Sequence, residues 1–152
     1  MSKQIEALIT EKVAAIISDE DELFIVEVRI KGDTRNQRVQ IFLDGDHGVD
    51  IDKCASVSRQ LAAQLEAEEV FDSKYILEVS SPGLDMPLKL IRQYVKNIGR
   101  DLKIKTLSGS KIKGKLTDVV SAEKLVLAND KDEMIEILIK EIEEAKVTVS
   151  FN

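Results

Sequence analysis

Between Lys3 and Ser18, the apolar residues Ile5, Leu8, Ile9, Val13, Ile16 and Ile17 recur every three or four positions, with charged residues between them. An α-helix gathers that spacing onto one face, so the pattern predicts an amphipathic helix ended by the acidic stretch "SDEDE". From Leu23 to Lys31 the period changes to two. Phe24, Val26, Val28 and Ile30 are expected on one face of a strand, and Glu27, Arg29 and Lys31 on the other. Arg38–Leu43 repeats the alternation with Val39, Ile41 and Leu43 inward, and the turn-rich "GDTRNQ" between the two runs predicts a hairpin. Helical spacing returns from Ile51 to about Ala67, along Ile51, Cys54, Val57 or Ser58, Leu61 and Leu65. Either Asp50 or Asp52 serves as the N-cap. Tyr75–Val79 predicts a third strand, with Tyr75, Leu77 and Val79 on one face. The order α-β-β-α-β implies two layers, both helices against one face of a small sheet. A fourth strand is placed within or just after Glu78–Leu88.

Beyond Pro87 the pattern shortens. Leu88–Ile98 predicts a short helix stopped by Gly99. Five strand candidates follow: Asp101–Leu107, Lys111–Val120, Lys124–Leu127, Met134–Ile139 and Lys146–Phe151. "SGS" makes a turn between the first two, and "IKEIEEA" reads as one helical turn before the last. Short strands with tight turns predict a small β-barrel. The expected class is therefore α+β. A two-layer N-terminal domain spans residues 1–84 and a C-terminal β-barrel residues 85–152.

Composition permits this division: 43% of the 152 residues are hydrophobic, enough for two compact cores. A single cysteine, Cys54, rules out an internal disulfide and agrees with a reducing compartment. No apolar run nears the ~20 residues of a membrane helix, and no signal peptide is apparent. A soluble, cytoplasmic protein without membrane contact is expected. The net charge of −6 argues at first against nucleic acid, but it is unevenly spread. Residues 1–90 hold 10 Lys/Arg against 18 Asp/Glu, whereas residues 91–152 hold 12 against 10. Within Arg92–Lys115 eight basic residues face one acidic residue, Asp101. Charge gathered on one segment is more informative than the total.

Enzymatic readings fail on spacing. Counting from Asp44, an EF-hand would need glycine sixth and glutamate twelfth, where Val49 and Ala55 stand. His47 is the only histidine, which leaves no transition-metal pair and no base for Ser80 or Ser81. Cys54 lies on an apolar helix line and reads as a small buried hydrophobe. "VSSPG" is neither a nucleophile elbow nor a phosphate loop. Pro82 ends the strand ladder, Gly83 permits a positive φ, Asp85 is placed to accept N–H bonds in the next turn, and Pro87 holds Met86 extended. These residues describe a shaped connector. No catalytic residue, metal or cofactor is assigned.

"DLKIKTLSGSKIKGKL" is the strongest chemical signal. Leu102, Ile104, Ile112 and Leu116 alternate with Lys103, Lys105, Lys111, Lys113 and Lys115, so a hairpin places all five lysines on one face. RNA phosphates are the natural counter-anion, and a solvated edge protected by lysines is the alternative. With two Tyr, four Phe and no Trp, stacking on single-stranded bases is poorly supported. Contact with folded RNA, or with a protein on it, fits better.

At "YILEVSSPGLDMPL" the chain resembles the ribosome maturation factor RimP family, whose signature is a strand followed by S-S-P-G-L-D-R-P-L. "DIDKCASVSRQLAAQLE" is similar to the family's D-D-C-x-x-x-S-R helix, and "IGRDLKIKT" through "KVTVSF" to its C-terminal barrel. The resemblance covers nearly the whole chain. It implies a KH-like N-terminal domain and an Sm-like (SH3-like) barrel. It also implies a non-enzymatic role in ribosome biogenesis: binding the free small (30S) subunit and assisting its late assembly, including installation of a ribosomal protein near the decoding region. The expected partners are rRNA and that protein, met by a monomer without cofactor. Ser81, Pro82, Gly83, Leu84, Asp85 and Pro87 match the signature, so the connector's shape carries over. Met86 stands where the pattern usually has a basic residue, and any contact made by that charge is lost. Asp52, Ser58 and Arg59 match the helix signature, either as partner contacts or as cap and surface residues. A general Sm-like RNA-binding module and a protein-only adaptor are the rival readings.

Overall fold

The computed structural model describes residues 2–33 and 35–148. The chain divides into two compact units, residues 1–82 and 83–152. The first contains α1 (Ser2–Ile16), β1 (Leu23–Asp33), β2 (Asn36–Gly45), α2 (Ile51–Ala67) and β3 (Lys74–Ser80). The sheet order is β1-β2-β3, with β1 antiparallel and β3 parallel to β2. A parallel neighbour needs a crossover, and α2 supplies it. Ile9, Val13 and Ile17 from α1 and just beyond it, Val57, Leu61 and Leu65 from α2, and Val39, Ile41 and Leu43 from β2 form one buried cluster. Both helices thus cover the same face of the sheet. Lys12 pairs with Glu68, tying α1 to the end of α2.

Three local expectations are corrected. First, β1 does not keep one phase. Its register slips between Ile25 and Glu27, so Ile25 opposes Leu43 while Glu27 opposes Phe42 and Val28 opposes Ile41. One extra residue in a strand switches the side chains that follow to the other face. Leu23, Ile25, Val28 and Ile30 therefore pack with the helices, whereas Phe24 and Val26 are buried outside that cluster. Second, Ile51 is not on the buried line of α2 but is 86% exposed, and the line runs Cys54, Val57, Leu61, Leu65. As the first helical residue it precedes the turn that meets the sheet. Third, residues 81–89 form no fourth strand.

The second unit contains α3 (Ile91–Lys96), β4 (Asp101–Thr106), β5 (Lys111–Ser121), β6 (Lys124–Ala128), β7 (Met134–Leu138), a 3₁₀ turn (Ile139–Glu141) and β8 (Ile142–Val147). All neighbours in the order β7-β6-β5-β4-β8 are antiparallel. The expected last strand, Lys146–Phe151, begins earlier, at Ile142, and its residues 149–151 lie outside the described residues. The helical turn expected in "IKEIEEA" is present as the 3₁₀ turn at Ile139–Glu141, and the remaining residues join β8 because the ladder to β4 overrides their local preference. β7 and β8 sit at opposite ends of the strand order, yet the 3₁₀ turn alone joins them. Five flat strands would separate those edges by ~19 Å, while the linking residues reach about 14 Å at most. The sheet must therefore curl.

Leu102, Ile104, Leu116, Leu125, Leu127, Ile137 and Ala145 fill the inside of this sheet, and Tyr94 of α3 joins them. The segment before the sheet is held by its backbone. Leu88 N–H donates to the Ala145 carbonyl (2.7 Å) and Gly99 N–H to the Leu116 carbonyl (2.7 Å). The buried Gln93 accepts from the N–H groups of Lys89 and Leu90 through Oε1 (2.7 and 2.9 Å), satisfying donors at the start of α3. Burial pushes the Tyr94 phenol up from 10.0 to about 12. A raised folded pKa means stability is intact below the unfolded value near 10 and is lost as pH rises through 12. Alkaline titration between pH 10 and 12 is therefore expected to destabilise this unit by up to about 3 kcal/mol. Tyr94→Phe should abolish that loss in denaturant melts. An identical alkaline loss in the Phe variant would reject this cause.

Candidate nucleic-acid interface

The basic face is set by a tight turn. After Thr106, the Gly109 N–H donates to the Thr106 carbonyl (3.0 Å), and Gly109 takes φ +93°. The Ser110 N–H donates to Thr106 Oγ1 (3.0 Å), while the Thr106 N–H donates back to the Ser110 carbonyl (2.9 Å). These bonds fix the β4–β5 register: Asp101 opposes Lys115, Lys103 opposes Lys113 and Lys105 opposes Lys111. β4 alternates strictly between exposed and buried residues, so Leu102, Ile104 and Thr106 turn inward and Lys103 and Lys105 outward. Lys103, Lys105, Lys111, Lys113 and Lys115 are thus brought to one face.

The ladder to β8 adds a residue that sequence reasoning missed. Lys146 lies opposite Lys103, and Glu144 opposite Lys105. One row therefore reads Lys113–Lys103–Lys146 across three strands, and the next Lys111–Lys105–Glu144. The inward Ala145 could have flagged its neighbours as outward, but nothing local shows that β8 pairs with β4. Lys103, Ile104, Lys105, Lys111, Glu144 and Lys146 line a shallow depression of about 250 Å³.

The charges on this face are partly compensated. Lys146 donates to Glu144 at 2.9 Å, and Lys105 lies 3.6 Å from Glu143. The hydrogen bond from Lys146, with the charges of Lys146, Lys105 and Lys103, holds the Glu144 carboxyl below the usual carboxylate range. Lys103, Lys111, Lys113 and Lys115 make no ion pair among the described residues. Lys103 is flanked on both sides by like charge, an arrangement that an external anion relieves.

The other candidate residues lie in the first unit and the connector. Asp50 is the N-cap of α2, its carboxylate accepting from the Lys53 N–H (2.7 Å). Asp52 and Arg59 are exposed on α2. Ser58 and Ser81, by contrast, line one groove along β3. Gly83 takes φ +71°, and residues 84–86 form a turn and bend in which Asp85 makes no hydrogen bond among the described residues, contrary to expectation. Leu84 is exposed, as are Asp85 and Pro87, while Pro82 is half-buried. Cys54 is buried, and burial, with a smaller effect from Asp50, pushes its thiol up, away from nucleophilic chemistry. His47 is exposed, and no group of three potential metal ligands occurs among the described residues. Among the described residues no helix is long and apolar enough to cross a membrane.

The chain thus combines an α+β unit with a curled, lysine-faced β-unit that follows it in sequence. The RimP N-terminal domain model matches residues 13–85. A ribosome maturation factor RimP from Cytophaga hutchinsonii is 32% identical over 167 residues, covering 99% of each chain. The chain therefore belongs to the ribosome maturation factor RimP family. A chain from a solved structure of an activated mRNA decapping complex is 21% identical, with a TM-score of 0.35 over 37% of this chain and 59% of the other, too slight a likeness to bear on fold or function.

Proposed function

We propose that this chain is a non-enzymatic factor that binds the free small (30S) ribosomal subunit in the cytoplasm and assists its late assembly. Family membership supports the maturation role, and the three-strand row Lys113–Lys103–Lys146 is the observation that carries the contact. In this reading, residues 1–84 act as a KH-like domain and residues 85–152 as an Sm-like barrel, joined by the Ser81–Pro87 connector. Point charges without stacking aromatics suit the phosphates of folded rRNA rather than exposed bases. The first unit, rich in carboxylates, would meet a basic ribosomal protein. Binding one rRNA arrangement in preference to others lowers its relative free energy, so assembly is assisted without bond chemistry. The factor acts as a monomer and needs no cofactor.

Sedimentation of cell lysates tests this directly. The protein is expected in the free 30S fractions and absent from translating ribosomes; an equal distribution over both would sink the proposal. A general Sm-like RNA module would instead bind bare RNA oligonucleotides tightly. A protein-only adaptor would be indifferent to loss of the lysines.

A further inference from the structure

We propose that the groove between α2 and the free edge of β3 binds an extended, lysine- or arginine-bearing segment of a partner protein, added to the sheet as a further strand. The inference deepens the protein-contact half of the proposed function and rests on it for the partner's identity, not for the groove's chemistry.

The groove, of about 500 Å³, lies wholly within the first unit. Ile51, Cys54 and Ser58 line its helix side, and Leu77, Val79 and Ser81 its strand side. Two stretches far apart in sequence, the α2 signature and the end of β3, thus converge on one surface. Among the described residues β3 pairs only with β2, so alternate N–H and C=O groups along its other side have no ladder partner there.

Side-chain burial points the same way. Val39 and Ile41 of β2 are fully buried, yet Leu77 and Val79, which pair with them on the same face, remain half-buried. The core is therefore one strand short at this edge. Ile51, 86% exposed, stands at the rim as the apolar residue a further strand would cover. The opposite edge is different: β1 is interrupted by its bulge and bears Glu27, Arg29 and Lys31, features that blunt edge pairing. β3 has no bulge within its register.

Charge selects the occupant. The charged residues lining the groove, Asp50 and Glu78, are both acidic; Glu78 is paired with Arg38 (3.2 Å), so the attraction rests on Asp50 and on the carboxylate excess of the unit around it. Asp50 and Asp52 offset the positive end of α2. Around them residues 1–82 hold nine Lys/Arg against 17 Asp/Glu. A basic extended segment is attracted to this unit, while RNA and a second copy of the same acidic unit are repelled.

The test uses the full chain and two synthetic ten-residue peptides, one alternating Lys with Val and the other Glu with Val. The Lys peptide is expected to bind at least tenfold more tightly by calorimetry and to slow amide hydrogen exchange in residues 76–80. Ile51→Lys should weaken that binding about tenfold without moving the thermal midpoint, because the side chain is exposed. Equal affinity for both peptides, protection away from β3, or indifference to Ile51→Lys would overturn the proposal. So would ultracentrifugation showing that the chain dimerises through β3, or RNA displacing the Lys peptide from the groove. Subunit binding through the lysine face is measured separately by sedimentation, so either reading can fail without the other.

Discussion

Replacing Lys103, Lys113 and Lys146 together by Gln is expected to remove this protein from the 30S fractions while leaving its thermal unfolding unchanged or slightly improved. The three side chains form one row across β5, β4 and β8, and neither Lys103 nor Lys113 has a carboxylate partner among the described residues. At roughly 1 kcal/mol net for each contact, losing three weakens association on the order of 100-fold. Each neutralised phosphate contact also releases counterions, so the slope of log affinity against log salt should fall by about three. Stability should not suffer, because exposed substitutions usually stay within ~0.5 kcal/mol and the row is mutually repulsive. Replacing Lys3, Lys31 and Lys74 in the acidic unit provides the control of equal charge change. If the two triple variants bind alike, the row is only a solvated edge.

Gly114→Ala is expected to be the most disruptive single-methyl change in the second unit. Gly114 lies in β5 between Lys113 and Lys115, and a Cβ there would stand 2.7 Å from the Ala128 carbonyl oxygen and 3.2 Å from its carbon. Those neighbours are backbone atoms of β6, which is paired on both sides and cannot yield without breaking its ladder. Overpacking of this kind costs ~1–3 kcal/mol. In a unit of this size it should lower the melting midpoint by several degrees. The lysine register should loosen with it, so subunit affinity falls although no charge is lost. An unchanged melting curve would show that β6 can move aside.

Much of the local structure was legible in the chain. Val39, Ile41 and Leu43 alternate without interruption and emerge fully buried, and the 3–4 spacing of Cys54, Val57, Leu61 and Leu65 emerges as the core line of α2. Where the structure departs from the local pattern, a non-local contact overrules it. The β1 bulge is invisible in "LFIVEVRIK", because six apolar residues in nine leave either phase available and only pairing to β2 selects one. Ile51 falls on the apolar line by spacing, but whether the first residue of a helix meets the sheet depends on how the helix docks. In "IKEIEEA" the helical turn is limited to Ile139–Glu141, because β4 offers the residues after it a ladder.

The same division holds for the candidate site. By itself the sequence determined that five lysines share one face of a hairpin, since a period of two and a turn at Ser108–Ser110 require it. It also determined the family, through the Ser81–Leu88 stretch and the α2 helix. Only the tertiary structure decided that β8 lies beside β4, which adds Lys146 to the row, and that Ser58 and Ser81 line one groove. The physical reason is the same in both cases. Periodicity is imposed by bonds a few residues long, whereas strand neighbours and groove walls are chosen by burial and hydrogen bonding between segments that the chain order leaves far apart.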